Sequence, residues 1–518
     1  MQYISHDENF IYIKGSSTNA AHIGAVYVQS RKAYRLPINK NTLKTLLRYD
    51  THKTITDLLH KEIMEEAAMR MMKALNPATH ATGKLRTYQA QDASIIRKYP
   101  VLAIFNEQRT GKTPTVLSAL KDLTNGLIVC PSSLKLNWLN EYNKWSNTKA
   151  VVVSGSKTKR MRIYATLAEE TMIISYETLR ADINDILKMF KRFSYLIVDE
   201  AHRLRNHKTK QSVALFKVRN LCERVYPMTG TPAVNHSADV FGLLKLMFPQ
   251  KYTSYWQFVE RYFKVIDGMF GKEIYGLKED YMIEFNDLLY KHSIQRKRKD
   301  VMAWIPKITE RIVELEPTTK QTTLFRQIKR LNTLNEEVID NPLTKLLRLR
   351  QVAVDPGYFG IEEKSPKFQF IMDFIEDNDD NVVIFSTMTG ALKRLHELVP
   401  DSLLLTGEQT TEQKEHAVRE LQAGRCKVLL SNIKAGGTGF TMDNADTIIF
   451  LDKSYTPDEN DQASDRIVPT NPGAKYGAKQ IITLLVNGSV EPKIEQMLKE
   501  KIDIIQYVNN YGLSHILE

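Results

Sequence analysis

Cysteine is scarce in this chain of 518 residues, and no long stretch of it is uniformly apolar. Neither a CxxC pair nor a histidine at ligand spacing accompanies the three cysteines, Cys130, Cys222 and Cys426, so no disulfide framework or zinc site is indicated. No window reaches the roughly 18 apolar residues of a membrane span, and the start, MQYISHDENF, lacks the regions of a signal peptide. These absences predict a cytoplasmic setting, no membrane partner and no targeting segment.

Repeats and low-complexity tracts are also lacking, which excludes solenoid, fibrous and wholly disordered proteins. Hydrophobic residues make up 42% of the chain and charged residues 25%, as in ordinary globular proteins. Seventy-two basic and 60 acidic residues give a formal net charge of +12. Such an excess attracts polyanions, above all nucleic acid, although charge alone leaves the partner open.

Two series of short apolar runs alternate with polar stretches of helical period. The first comprises VLAIF (101–105), GLIVC (126–130), AVVVS (150–154), TMIIS (171–175), YLIVD (195–199) and RVYPM (224–228). The second comprises VVIFS (382–386), SLLLT (402–406), KVLLS (427–431), TIIFL (447–451) and QIITLLV (480–486). Continuous apolarity predicts strands buried on both faces, hence an α/β fold with two parallel-sheet lobes and helices on each side.

The remaining segments give the predicted domain organisation. β-like pieces and then helix-period residues precede the first series, whereas an aromatic-rich, helical pattern lies between the two series. We expect an N-terminal α+β accessory domain at 1–80, a first lobe at 81–240, a helical insertion and connector at 241–345, a second lobe at 346–500 and a C-terminal helix at 501–518.

The strand VLAIF leads into a loop that ends in Gly111-Lys112-Thr113, followed by a helical pattern. A strand, such a loop and a helix form a triphosphate site, because backbone N–H groups cradle the phosphates. Lys112 would supply a cation to the β and γ oxygens, and the Thr113 hydroxyl would ligate Mg²⁺. Asn106 stands where the first glycine of the usual pattern is expected.

An acidic pair, Asp199-Glu200, ends the strand YLIVD. A carboxylate at the carboxyl end of a parallel strand faces the same crevice as the phosphate loop. Asp199 would then hold Mg²⁺, and Glu200 would orient and deprotonate the water that attacks the γ-phosphate.

In the segments around these residues the chain resembles superfamily 2 helicases, and within that superfamily the Swi/Snf-type double-stranded DNA translocases. The resemblance runs in order through KLRTYQ (84–89), LIVCPSSLKLNW (127–138), IISYETL (173–179), IVDEAHRLRN (197–206), MTGTPAVN (228–235), QRKRKDV (295–301), LLRLRQVAVDP (346–356), SPKFQFIMDFI (365–375), VVIFS (382–386) and SNIKAGGTGFTM (431–442). It covers about residues 84–500. It implies two RecA-like lobes, ATP and Mg²⁺ as cofactors, and double-stranded or branched DNA as the partner.

The resemblance also assigns roles by residue. Catalysis is expected of Lys112, Asp199, Glu200, Gln462 and Arg466. ATP contacts are expected of Arg86, Gln89, Glu107, Gln108, Arg109, Thr110, Gly111, Lys112, Thr113 and Gly437, with Gln89 on the adenine, and Mg²⁺ contacts of Thr113 and Asp199. Coupling is expected of His202, Thr229 and Thr231. Contacts to the DNA backbone are expected of Ser132, Lys135, Asn137, Arg205, Ser386, Thr387, Ser431 and Lys434.

The sixth motif departs from the family pattern. Where the family usually reads Q-A-x-D-R-x-x-R-x-G-Q, this chain retains Arg466 but has Pro469 in the place of the second arginine. An arginine at the transferring γ-phosphoryl contributes greatly to the rate, so the loss of one bears directly on turnover. We interpret the chain as an ATP-dependent DNA translocase or helicase, with an RNA helicase and a nucleotide-gated DNA clamp as the alternatives.

Some residues allow two interpretations. Trp138 and Trp145 either stack on bases or pack in the core of a helix, and the basic run from Arg296 to Lys299 is either part of a DNA track or a solvated face. Residues 25–47 resemble the substrate-recognition modules of annealing-helicase relatives, with a capping domain as the alternative. We expect a compact, monomeric member of bacterial or bacteriophage type.

Overall fold

The computed structural model describes residues 2–6, 10–16, 20, 25–38, 40–46, 54, 55, 58, 85–230, 238–268, 271–331, 333, 334, 337–339, 341–361, 363–436, 440–469, 476–500, 504, 508, 513 and 516. The chain divides into two compact units, which are Met1–Val301 and Met302–Glu518. Most of the helix-period residues before the first series, and most of the predicted C-terminal helix, lie outside the described residues.

The first unit begins with a small antiparallel sheet that confirms the α+β appendage. Its strands are β1 (Gln2–His6), β2 (Phe10–Lys14), β3 (Val26–Val28) and β4 (Ala33–Pro37), in the order β1-β2-β4-β3. Helix α1 (Lys40–Leu46) follows. Ile11 and Ile13 lie on the same face of β2 and are buried with Leu36, Leu43 and Leu46 in one apolar cluster.

The main sheet of the first unit is parallel, as predicted. It is built from β5 (Ala103–Ile104), β6 (Gly126–Cys130), β7 (Ala150–Val152), β8 (Thr171–Ser175), β9 (Phe193–Val198) and β10 (Cys222–Pro227). Five of these pair in the order β10-β9-β6-β8-β7, and β5 reaches β10 through the bridges Val101↔Val225 and Ile104↔Met228. Residues 126–130 are all buried, with Leu127 and Val129 in one core cluster and Ile128 and Cys130 in the other. Two core layers on one strand explain the continuous apolar pattern.

Helices lie between these strands in the chain. They are α2 (Thr87–Lys98), α3 (Lys112–Ala119), α4 (Lys135–Trp145), α5 (Lys157–Thr166), α6 (Tyr176–Met189) and α7 (Lys210–Arg219). Ser156, Ser175 and Thr209 precede the last three, and each hydroxyl accepts a hydrogen bond from a backbone N–H in the first turn. Such N-caps fix where a helix begins. Short 3-10 helices span Gln29–Arg31, Ser132–Leu134 and Ala201–Arg205.

The segment after β10 is helical, as predicted, and also contains a hairpin. Its elements are α8 (Val240–Met247), α9 (Tyr255–Tyr262), β11 (Phe263–Gly268), β12 (Gly271–Leu277), α10 (Met282–Tyr290), β13 (Ser293–Ile294) and α11 (Arg298–Val301), with a 3-10 turn at Glu279–Tyr281. Phe241, Phe258, Phe263 and Phe285 belong to its buried core. β13 pairs in parallel with β5, so the chain returns to the main sheet before the first unit ends.

The second unit holds the second parallel sheet. Its strands are β14 (Ile308–Leu315), β15 (Thr333–Leu334), β16 (Glu337–Val338), β17 (Val382–Ser386), β18 (Leu403–Leu405), β19 (Val428–Asn432), β20 (Thr447–Phe450) and β21 (Lys479–Val486). Six of them form a sheet in the order β14-β21-β20-β17-β19-β18, and β15 pairs with β16 in a separate two-stranded sheet. The five predicted strands of the second series are confirmed.

The helices of the second unit cover both faces of this sheet, because β17 buries Val382 and Ile384 in one cluster and Val383 and Phe385 in another. They are α12 (Thr319–Arg326), α13 (Pro342–Val354), α14 (Pro366–Asp377), α15 (Thr389–Leu398), α16 (Thr411–Gln422), α17 (Ile433–Gly436), α18 (Pro457–Ser464) and α19 (Glu491–Lys499). A π-helix spans Gln327–Leu331, and 3-10 helices span Pro356–Phe359 and Asp465–Ile467. Across the described ranges, no helix combines the length and apolarity needed to cross a bilayer.

A buried lysine ties α14 to the rest of the second unit. Lys367 is fully buried, and its Nζ donates to Glu491 Oε1 at 2.7 Å, to Leu451 O at 2.6 Å and to Leu484 O at 2.9 Å. Burial lowers the pKa of Lys367 and raises that of Glu491, and the attraction between the two charges opposes both effects. Three acceptors therefore satisfy all three ammonium protons.

Candidate functional site

The predicted phosphate loop connects β5 to α3. Two of its residues have left-handed backbone conformations, Arg109 with φ 68° and Gly111 with φ 84°, and Gly111 is the N-cap of α3. The carbonyl of Thr110 accepts from Tyr88 Oη at 2.7 Å and from Gln89 Nε2 at 3.0 Å. Helix α2 therefore holds the loop through this carbonyl. Helix α3 begins directly after Gly111, so its N-terminus, where backbone N–H groups suit an anion, adjoins the loop.

Lys112 lies at the start of α3, and its ammonium is held by the loop. Its Nζ donates to Asn106 O at 2.9 Å and to Glu107 O at 3.3 Å. A Cβ placed on Gly230 would be 3.5 Å from this Nζ and 3.0 Å from Gln108 Cγ. The strand end after β10 therefore lies beside the loop, although Thr231 is outside the described residues.

A buried polar cluster supports the loop. The carboxylate of Asp92, which has no exposed surface, accepts from Asn106 Nδ2 at 2.9 Å and from Arg296 Nε and Nη2 at 3.0 and 2.7 Å. Glu107 Oε2 accepts from the backbone N–H of Arg298 at 2.7 Å. Burial raises the pKa of Asp92, and Arg296 opposes this effect. Two residues of the basic run thus hold the loop in place.

The acidic pair follows β9. Asp199 Oδ2 accepts from Trp138 Nε1 at 2.9 Å, and Oδ1 accepts from the backbone N–H of Glu200 at 3.0 Å. Burial and the neighbouring Glu200 carboxylate raise the pKa of Asp199 to about 6, whereas Trp138 and the Lys112 ammonium lower it. Geometry links the acidic pair to the loop through the strand end after β10, because Gly230 lies beside the Lys112 ammonium and the adjacent Thr229 lies beside His202, the neighbour of Glu200.

Glu200 has an unusual backbone and a defined neighbour. Its φ of 52° is left-handed, which is rare for a residue with a side chain and is typical of functional sites. His202 Nδ1 lies 3.2 Å from Glu200 Oε2 and 3.4 Å from Thr229 Oγ1. The imidazole thus joins the second acid to the residues after β10. Tyr176 Oη donates to the carbonyl of Asp199 at 2.5 Å.

Oxygen donors predominate at this site. Asp199 offers a carboxylate, and Thr113, in the first turn of α3, offers a hydroxyl. Such hard ligands suit Mg²⁺, which usually keeps waters and phosphate oxygens as its other ligands. In the described part of the chain, no three His, Cys, Asp or Glu side chains form a group that could hold a metal ion alone. The residues present therefore fit a magnesium ion that is bound together with a nucleotide.

The other predicted ATP contacts of the first unit lie on the loop or on helix α2 and the residue before it. Gln89 is only 6% exposed, and its Oε1 already accepts from the Arg86 N–H at 2.9 Å. With Nε2 on Thr110 O, the amide retains one N–H and one lone pair for another partner. Adenine binding by Gln89 stays a prediction, and Gly437 is outside the described residues.

The candidate DNA contacts differ in exposure. In the first unit Ser132 and Asn137 are exposed, Arg205 is half-buried, and Lys135 Nζ donates to Val153 O at 3.0 Å. In the second unit Lys434 is exposed, whereas Ser431 is buried.

The remaining two candidates of the second unit share one partner. Ser386 is buried, and its hydroxyl and that of Thr387 both donate to Asp452. Asp452 also accepts from Arg350 Nη2 at 2.7 Å. These hydroxyls could therefore donate to a phosphate only after their hydrogen bonds to Asp452 break.

Gln462 lies near the end of α18, and Arg466 lies in the 3-10 helix that follows it. Arg466 Nη1 donates to Phe440 O at 3.1 Å, and its own carbonyl accepts from Met442 N at 3.0 Å. Both side chains are half-buried, and Pro469 is buried. The guanidinium is therefore hydrogen-bonded to the end of the SNIKAGGTGFTM segment (431–442).

The contacts of Trp138 and Asp452 were missed by the sequence reasoning. Trp138 was interpreted as a core residue or a base-stacking residue, and Asp452 was not singled out. Each of these two side chains forms hydrogen bonds with residues that are 61 to 102 positions away in the sequence, so no local periodicity indicates the contact. The one available signal was position, since Asp452 follows a strand just as Asp199 does.

The backbone at Gly111 leads to a stability prediction. We expect Gly111→Ala to lower the free energy of unfolding by about 1–3 kcal/mol, because φ is positive and the new Cβ would lie 2.2 Å from Gln89 Nε2. Urea denaturation measures the change. Gly155→Ala is the control, since φ there is 93° but the nearest atom, 2.8 Å away, belongs to the flexible Lys159 side chain. Equal losses in both variants would contradict a specific conflict at the loop.

Comparison with known proteins gives the same picture as the motifs. The SNF2-related domain matches residues 38–358, more than half of the chain, and the helicase conserved C-terminal domain matches residues 366–469. An uncharacterized ATP-dependent helicase of Mycoplasma pneumoniae is 27% identical over an alignment of 457 residues, and the match covers 81% of this chain and 42% of that protein. A probable ATP-dependent DNA helicase of Arabidopsis thaliana is 24% identical over an alignment of 511 residues, and the match covers 90% of this chain and 47% of that protein.

The chain thus spans slightly less than half the length of these curated relatives. Among solved structures, the Sulfolobus solfataricus SWI2/SNF2 ATPase core in complex with dsDNA covers 86% of this chain and 96% of its own, at 21% identity and a TM-score of 0.39. The assignment rests on the two domain matches, which follow each other in the chain. By these matches, the chain belongs to the SNF2 family of helicase-related proteins.

Proposed function

We propose that this chain hydrolyses ATP and uses the free energy to move along double-stranded or branched DNA. The observation that carries the proposal is the convergence, in the first unit, of Lys112 with the Asp199-Glu200 pair. Gly230, at the strand end after β10, lies beside the Lys112 ammonium, and the adjacent Thr229 meets His202 beside Glu200. A cation next to two carboxylates at the carboxyl ends of parallel strands suits a nucleoside triphosphate with its metal.

Each residue of this site has a proposed role. Lys112 would leave the carbonyls of Asn106 and Glu107 for the β and γ oxygens, and the N-terminal N–H groups of α3 would bind the phosphates. Thr113 and Asp199 would hold Mg²⁺, which neutralises charge on the phosphates when bound. Glu200 would accept the proton of the attacking water. His202 and Thr229 would relay the state of Glu200 to the neighbouring strand end.

Arg466 is the proposed arginine for the transferring γ-phosphoryl, with Gln462 as its neighbour on the same motif. A guanidinium stabilises the charge that spreads over the phosphoryl oxygens in the transition state. Because Pro469 replaces the second arginine, Arg466 is the one arginine of this motif that can take this role.

Binding to DNA is proposed to use the sugar-phosphate backbone. The exposed Ser132, Asn137 and Lys434 and the net charge of +12 suit contacts that carry no sequence information. The Arabidopsis relative is named as a DNA helicase, which favours DNA over RNA. Residues 1–80 are proposed to help recognise the DNA structure, and the chain is proposed to act as a monomer in the cytoplasm.

An ATPase panel tests the proposal. Initial rates would be measured without nucleic acid and with duplex, forked, four-way-junction and single-stranded DNA and RNA, with Lys112→Ala as the inactive control. We expect duplex or branched DNA to stimulate the wild type and Lys112→Ala to show no turnover, because the phosphates lose their cation. Stimulation by RNA alone would favour an RNA helicase and would contradict the proposed partner.

Pro469 favours one second candidate, a nucleotide-gated clamp. A clamp would bind ATP and DNA with little hydrolysis, because the transition state lacks a second arginine. Retained binding of both ligands without turnover in the wild type, together with no effect of Glu200→Gln, would support the clamp and overturn the motor.

A further inference from the structure

The acidic pair has a neighbour that the motifs did not assign. Trp138 lies on α4, 61 residues before Asp199, and its Nε1 donates to Asp199 Oδ2 at 2.9 Å. We propose that Trp138 is a positioning residue that fixes the carboxylate of Asp199 in the orientation in which it binds Mg²⁺. This inference rests on the proposed function, because it assigns a metal to Asp199.

The indole is rigid. Trp138 is 1% exposed, and it belongs to the buried cluster that includes Ile128, Cys130 and Ile173. A ring packed on all sides cannot turn away without opening a cavity. Because an indole N–H only donates, this side chain can serve only an acceptor at that point. The protein thus keeps a donor aimed at one oxygen of Asp199.

The second oxygen of the carboxylate is fixed as well. Asp199 Oδ1 accepts from the backbone N–H of Glu200 at 3.0 Å. Each oxygen of a carboxylate has about two lone-pair positions, so one position on each remains for a cation or its water. One donor belongs to a side chain and the other to the backbone, and together they restrain rotation about the last bond of the Asp199 side chain. Partners of this kind around metal-binding carboxylates hold them in their binding orientation.

The same helix offers a matched control. Trp145, the last residue of α4, donates from Nε1 to Glu141 Oε2, also at 2.9 Å. That carboxylate is on the same helix and is not part of the proposed site. Replacement of Trp145 therefore removes an identical type of bond without touching Asp199.

The test compares Trp138→Phe with Trp145→Phe. We expect Trp138→Phe to weaken the binding of Mn²⁺, used as a probe for Mg²⁺, by about tenfold, which is the lower limit for loss of such a partner. Binding would be followed by electron paramagnetic resonance in the presence of a slowly hydrolysed ATP analogue. The Mg²⁺ concentration for half-maximal ATPase should rise by a similar factor. Trp145→Phe should match the wild type in both measurements.

A second variant separates the hydrogen bond from packing. Benzothienylalanine at position 138 keeps the shape of the indole but has sulfur in place of the N–H. We expect it to weaken Mn²⁺ binding as much as Trp138→Phe does, with a melting temperature near that of the wild type. Wild-type metal binding in this variant would overturn the proposal, even if Trp138→Phe fails to fold.

The two proposals fail in different ways. If the wild type binds Mn²⁺ with the nucleotide analogue and hydrolyses ATP, but both variants at position 138 retain its metal affinity, only the role of Trp138 is overturned. If the wild type neither binds the metal with nucleotide nor hydrolyses ATP, the proposed function is overturned, and the role of Trp138 with it.

Discussion

Glu200→Gln is expected to lower the turnover number for ATP hydrolysis by at least about a hundredfold, the usual contribution of a general base. The amide keeps the size of the side chain and one acceptor oxygen but cannot take a proton from water. Glu200 is held by its left-handed backbone and by His202 at 3.2 Å, so the variant should keep its place. Nucleotide binding should therefore stay close to that of the wild type. Steady-state hydrolysis and the affinity for a fluorescent nucleotide measure the two quantities.

Glu177→Gln is the matched control for this prediction. Glu177 is exposed in the first turn of α6 and lies 3.5 Å from Arg203, so it has the same chemistry outside the site. Its replacement should leave turnover unchanged, because exposed ion pairs contribute little. Wild-type turnover in Glu200→Gln would show that another group accepts the proton.

Lys367→Ala is expected to destabilise the chain by about 3–5 kcal/mol, the usual cost of removing one partner from a buried ion pair. The substitution leaves the Glu491 carboxylate buried and the carbonyls of Leu451 and Leu484 without their donor. For a unit of this size, such a loss lowers the melting temperature by roughly 6–20 °C. Calorimetry and urea denaturation measure the change.

Two controls accompany Lys367→Ala. Lys427→Ala breaks an exposed pair with Asp379 whose distance is also 2.7 Å, and we expect its melting temperature to stay near that of the wild type. In the double variant Lys367→Met with Glu491→Leu, much of the stability should return, because no isolated charge remains buried. Equal losses for Lys367→Ala and Lys427→Ala would contradict the role of burial.

Strand positions were largely predictable, and long-range pairing was not. The runs at 126–130, 171–175 and 382–386 are strands with the predicted bounds, since parallel strands covered on both faces are apolar throughout. The hairpin Phe263–Leu277 was not predicted, because its aromatic and basic residues also fit a helical pattern. β13 has only two residues, and its pairing with β5 depends on a contact that no local pattern encodes.

The site was predictable where chemistry and local order coincide. A Gly-Lys-Thr loop after a strand, and an acidic pair after another strand, indicate their own geometry, and the two segments do follow β5 and β9. The role of Arg296 was left open, and the structure pairs it with the buried Asp92, 204 residues away. Charge runs give no information on partners, because a guanidinium suits a phosphate and a carboxylate equally well.

The return of the chain to β5 has a consequence for synthesis on the ribosome. The phosphate loop is made early, but Phe105 N bonds to Ile294 O, and Glu107 Oε2 accepts from the N–H of Arg298, 191 residues later. At about 5–20 residues per second, the loop waits roughly 10–40 s for these partners. During that interval the nascent polypeptide has every atom of the loop but lacks its last supports. The phosphate loop should therefore gain its affinity for phosphate groups only after translation has passed residue 298.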